Sequence, residues 1–135
     1  MPHVVIHYTA HIEAEARMGT LCAELAATLV ALKDEQGKQL FPIGGTRVLA
    51  YPAPHHAVAD GRQDYAFVYI NVRIAPGRSE AMKKMAGDNL LECVQSHFAP
   101  LFDKRPIGIT LQIDESPGQV YDAKHSNLHA LFNKL

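Results

Sequence analysis

No run of this chain is apolar enough to cross a membrane, and no basic segment followed by an apolar one opens it. These absences predict a cytoplasmic protein, neither embedded in a bilayer nor exported. Neither sign of charge forms a block, and the net charge over 135 residues is −1. That balance argues against nucleic acid or a membrane surface as the main partner. Cysteine is scarce: Cys22 and Cys93 have no CxxC spacing, and both fall inside helical patterns. They read as buried, reduced thiols. A glycine-rich phosphate loop, a GxSxG elbow and a paired-cysteine metal site are all missing. What remains is 47% apolar and 20% charged, the proportions of an ordinary globular protein of one modest core.

The pattern reads as one unit written twice. His3 to Tyr8 alternates Val4, Ile6, Tyr8 against His3, Val5, His7, the period of a strand. A helical stretch follows from about Ile12 to Lys33, with Met18, Leu21, Cys22, Leu25, Leu29 and Leu32 on one stripe. Gly37, Pro42, Gly44 and Gly45 punctuate the exit, and a second strand covers Thr46 to Tyr51. Tyr65 to Ile74 alternates again, "APGRSE" breaks it, and Ser79 with Glu80 can open a helix to about Phe98. Pro100 and Pro106 bracket its exit before a fourth strand, "IGITLQID". The prediction is therefore an α+β fold: two β-α-β units, about 1–55 and 64–116, in one four-stranded mixed sheet. A C-terminal tail completes a single domain over 1–135. The linking stretch "YPAPHHAVADGRQD" reads as a loop or small hairpin.

Right-handed crossovers put both helices on one face of that sheet. The other face would carry His3, His7, Phe67, Tyr69, Asn71, Arg73, Thr110 and Gln112. That set is polar and aromatic but holds few charges, which suits a subunit interface or barrel interior as well as a solvated face.

Eight histidines raise a metal site, but His3 and His7 share a strand face about 13 Å apart, and the His55-His56 and His125/His129 pairs lack acidic or cysteine companions at convincing spacing. No metal is expected. Arg47 and Arg78 are more telling. One follows "FPIGGT" at the head of a strand and the other follows Gly77 at a strand-to-helix junction. Each sits at a strand end where β-α-β clefts open, and a guanidinium there can grip a carboxylate through two parallel hydrogen bonds. Pro2 starts a strand, as proline may. If Met1 is removed, Pro2 becomes the N-terminus and carries a titratable secondary amine. Phe41, Phe67 and Tyr69 are candidates for an apolar wall, or plain core.

"MPHVVIHY", "LFPIGGTRV", "ADGRQDYAFVYINVRIAPGRS" and "NLHALF" together resemble the 5-carboxymethyl-2-hydroxymuconate delta-isomerase family of the tautomerase superfamily. The resemblance implies a homotrimer of two fused β-α-β units per chain and an isomerase of homoprotocatechuate catabolism that needs no metal or organic cofactor. It implies a 1,3-allylic proton shift on a small carboxylate substrate, with Pro2 as catalytic base and Arg47 and Arg78 binding substrate. A tautomerase acting on another 2-hydroxydienoate or 2-oxo acid, or a non-catalytic trimeric ligand-binding protein, fits the same residues.

Overall fold

The computed structural model describes residues 1–132, so the last three residues of the predicted 1–135 domain lie outside the described residues. Four strands, β1 (Pro2–Thr9), β2 (Arg47–Ala53), β3 (Ala66–Ile74) and β4 (Ile107–Glu115), form one sheet in the order β2-β1-β3-β4. β1 runs parallel to β2 and β3 parallel to β4, while β1 and β3 meet antiparallel at the centre. Each parallel pair is joined through helix, which reproduces the predicted pair of β-α-β units in a mixed sheet.

Alternation decides the faces. Val4, Ile6 and Tyr8 of β1 and Val68, Ile70 and Val72 of β3 are buried. They meet Leu21, Leu25 and Leu29 of helix α2 (Met18–Ala31) and Leu90, Val94 and Phe98 of helix α3 (Glu80–Phe102), which are buried too. Each such side chain contributes roughly 1.5–3 kcal/mol by leaving water. Among the described residues, no helix covers the opposite face. On it Tyr69 donates to Gln112 (2.8 Å), Asn71 to Asp114 (2.7 Å) and Arg73 to Ser116 (3.3 Å). Every β3 side chain in that ladder leans two residues past its β4 register partner, a diagonal reach long polar side chains can make.

Three boundaries differ from the sequence reading. The helix expected from Ile12 to Lys33 is broken: a 3-10 turn (Ala10–Ile12) and a single turn α1 (Glu13–Ala16) precede α2, and Arg17 between them is left-handed, φ 45°. Tertiary contacts hold that first turn apart. Tyr8 donates its hydroxyl to Glu13 (2.6 Å), His97 Nε2–H donates to the Ala16 carbonyl (2.6 Å), and Arg105 pairs with Glu15 (2.9 Å). Helix α3 passes Pro100 and ends at Phe102, because the turn it completes buries Leu101. Strand β2 extends through Pro52 to Ala53, as an edge strand allows, and no hairpin follows it within the described residues. Ser79 caps α3 as expected, its hydroxyl accepting from the Met82 N–H (3.2 Å). Cys22 and Cys93 are half-buried rather than fully buried, and burial raises the pKa of both thiols. Among the described residues no helix is long and apolar enough to cross a membrane.

Candidate active site

Strand register gathers the site at one end of the sheet. Pro2 pairs with Ile74, His3 with Arg47 on one side and Arg73 on the other, and Ile74 with Glu115. The start of β1, the start of β2 and the end of β3 therefore converge, and Arg78 lies four residues past Pro2's partner. Pro2 itself is buried. A residue without an N–H is placed at the first position of a central strand, where the ladder loses least.

Arg78 is held rather than free. The loop before it in space turns at Gly37 (φ 77°), with the Asp34 carboxylate accepting from the N–H groups of Gln36 and Lys38 (2.9 Å each). That turn lets the Leu40 N–H reach the Leu32 carbonyl (2.9 Å) and leaves the Leu40 carbonyl for Arg78. Its Nε and Nη2 donate to the Leu40 oxygen (3.4 and 3.1 Å) and its Nη1 donates to the Ala75 oxygen (3.1 Å). The guanidinium also lies over the Phe41 ring, 4.5 Å from its centre. A guanidinium has five N–H donors, so one remains on each terminal nitrogen, a fork suited to a carboxylate.

Arg47 is oriented by its neighbour. Its Nη1 lies 3.0 Å from His3 Nε2. Guanidinium nitrogens only donate, so Nε2 accepts and the neutral His3 ring carries its proton on Nδ1. Burial, then Arg47, the amine of Met1, Arg73 and Lys124, lower the His3 pKa, which favours a neutral ring. The amine of Met1, one residue ahead of Pro2, is likewise pushed below its ordinary value, first by burial and then by Arg78, Arg47 and Lys124. Arg47 and Arg78 thus lie within electrostatic reach of the amine that precedes Pro2.

The glycine pair ahead of Arg47 is explained by crowding. It forms the 3-10 turn Ile43–Gly45. A Cβ on Gly45 would lie 2.5 Å from the Met1 nitrogen, and one on Gly44 would lie 2.9 Å from His129 Nδ1. His129 belongs to helix α4 (Leu128–Phe132), at the end of a tail that begins at the buried Ser116. The tail returns across the sheet end and walls a cavity of about 540 Å³ lined by Arg47, His125, Ser126, Asn127 and Leu128. A second cavity, about 440 Å³, lies at Arg78 with Leu40, Gly77 and Ser79. The tail residues were missed by sequence reasoning; the sterically obliged glycines ahead of Arg47 were the signal that something packs there.

Of the three candidate wall residues, Phe41 is buried beneath Arg78. Phe67 and Tyr69 lie elsewhere, beside His7 and His56 in a small depression on the open face. The register sets Tyr69 opposite His7, about 13 Å along the strand from His3.

The parallel-antiparallel-parallel sheet with both helices on one face defines a fold shared with other solved proteins. In fold alone the likeness extends to a macrophage migration inhibitory factor-like protein from Entamoeba histolytica, at 15% identity over 90% of this chain and 95% of that one, TM-score 0.51. The chain belongs to the 5-carboxymethyl-2-hydroxymuconate isomerase family, whose model matches residues 2–132. It is 33% identical over 132 residues to a 5-carboxymethyl-2-hydroxymuconate Delta-isomerase of Escherichia coli, covering 98% of this chain and 99% of the relative. A solved 5-carboxymethyl-2-hydroxymuconate delta-isomerase shares 47% identity over 99% of this chain and 94% of its own, TM-score 0.94. An isomerase structure from Deinococcus radiodurans R1 follows at 34% identity, covering 98% and 95%, TM-score 0.86.

Proposed function

We propose that this chain isomerises 5-carboxymethyl-2-hydroxymuconate to its 2-oxo-3-ene isomer, with the amine of a processed Pro2 as the base. Family membership supports the reaction. The observation that carries the mechanism is the strand register, which sets Pro2 opposite Ile74, four residues before Arg78, and His3 beside Arg47 at the same sheet end. The amine takes the proton from the enol oxygen and returns it to C5. The C2=C3 and C4=C5 double bonds become C2=O and C3=C4, so atoms and electrons balance without a redox partner.

Such a base must be neutral. An ordinary α-amino group titrates at about 7.7–8.0, and a prolyl amine is more basic. Burial disfavours the ammonium, and two nearby guanidiniums disfavour it again by like charge. Each unit of depression corresponds to about 1.4 kcal/mol, and one or two units bring the group near neutrality, where acid–base catalysis is most effective. Arg47 and Arg78 bind carboxylates of the substrate and offset charge on the dienolate oxygen in the transition state.

Three copies form the working molecule in this reading, meeting through the helix-free face, where Leu49 and Tyr51 are half-exposed beside His3, Val5 and His7. A cytoplasmic location agrees with the free thiols of Cys22 and Cys93.

The test follows dienol absorbance with purified, processed protein. Conversion of 5-carboxymethyl-2-hydroxymuconate is expected, and Pro2→Ala, which keeps a primary amine, should retain a reduced rate. No conversion by the processed wild type, or preferred turnover of an unrelated 2-oxo acid, would overturn the substrate assignment.

A further inference from the structure

The substrate of the proposed reaction carries three carboxylates, two from the muconate chain and one on its carboxymethyl arm. Arg47 and Arg78 account for two of them. The cavity beside Arg47 is closed by a segment that no part of the mechanism uses, the tail residues His125, Ser126, Asn127 and Leu128. This tail is fastened at both ends. The Ser116 N–H donates to the Ile74 carbonyl (2.8 Å) and its hydroxyl oxygen accepts from the Gly118 N–H (3.3 Å). At the far end, His129 occupies the space that a side chain on Gly44 would need. One turn, Ile43–Gly45, therefore sets both the tail and the strand that begins with Arg47.

Between the anchors the segment presents donors. The Ser126 oxygen accepts from the Leu128 N–H (3.0 Å), which leaves its O–H to donate. Asn127 carries two amide N–H groups. Lys124, immediately before the wall, is the tail's only positive side chain between Ser116 and Phe132 apart from what its histidines could carry. It directly precedes His125, which lines the cavity with Arg47, and its charge reaches both the Met1 amine and His3. Its ammonium pairs with Asp122 (2.9 Å), with the two side chains 56% and 49% exposed. A pair that wet is weak, and an ammonium has three donors, so a carboxylate can share it.

We propose that the C-terminal segment is a third carboxylate-binding position, with Lys124 as its charged group and Ser126 and Asn127 on its wall, and that it selects the tricarboxylate over a dicarboxylate. This inference rests on the proposed reaction and deepens it. The tail reads the arm, while the base and the arginines serve the hydroxymuconate common to both substrates.

The experiment compares kcat/KM for 5-carboxymethyl-2-hydroxymuconate and for 2-hydroxymuconate, which lacks the arm, in processed wild type, Lys124→Met and Lys124→Arg. Wild type should favour the tricarboxylate by about tenfold or more, the scale of a charged hydrogen bond. Measured on the high-pH plateau, where losing the Lys124 charge no longer changes the protonation of the amine, Lys124→Met should slow the tricarboxylate far more than the dicarboxylate and so remove most of that preference, and Lys124→Arg should restore it. An active wild type whose preference survives Lys124→Met overturns this inference and leaves the reaction standing. A wild type that converts neither dienol overturns both.

Discussion

At the scale of single residues, the site depends on positive charges that are held in place by uncharged acceptors. Arg78 is tied to two backbone carbonyls and Arg47 to a neutral histidine ring. Charge near the amine makes a pH prediction. In the proposed mechanism the Pro2 amine must be neutral to act, so kcat/KM should rise as pH rises through its pKa. Arg47→Ala removes one like charge, raises that pKa and should move the acid limb to higher pH; Arg47→Lys keeps the charge and should leave the limb in place while weakening binding. An acid limb that does not move in Arg47→Ala would separate Arg47 from the amine. Arg47 and Arg78 stand out in the sequence because glycines precede them at strand ends. The His3 contact does not stand out: it depends on a parallel register that pairs residues 44 positions apart, and periodicity carries no information about register.

At the scale of elements, the strands and both long helices follow from apolar spacing, and errors gather where tertiary contacts override local preference. Arg17 is the clearest case. Nothing in its neighbourhood demands a left-handed residue; the break exists because Tyr8, His97 and Arg105 hold the turn before it from outside. Burial, the hydrogen bond to Glu13 and the Glu13 charge push the Tyr8 pKa up to about 12 from 10.0. The folded state then binds the phenol proton more tightly than the unfolded chain, so stability from this group is complete below pH 10 and is lost between pH 10 and about 12. Tyr8→Phe should cost roughly 1.5–3 kcal/mol at pH 8, the range for a bond to a charged acceptor. It should also flatten the alkaline fall in urea denaturation. Equal alkaline slopes in the two proteins would remove Tyr8 as its source.

At the scale of the whole molecule, the helix-free sheet face is where sequence and structure agree on a set of residues. Its low charge was legible from alternation alone. The tail's course was not, since its anchors are a buried Ser116 and a histidine against a glycine, neither of which has a periodic signature. If three copies meet through this face, Leu49→Glu should yield monomers by sedimentation and lose most activity without unfolding, because Leu49 is 49% exposed in the single chain. A trimer that survives the charge would move the interface elsewhere. The whole scheme turns on the nitrogen of Pro2 being an amine. Homogeneous protein that retains Met1, confirmed by intact mass, should be compared with processed protein for turnover of 5-carboxymethyl-2-hydroxymuconate. The processed chain should be active and the Met1-bearing chain essentially inactive; equal rates would contradict the mechanism outright.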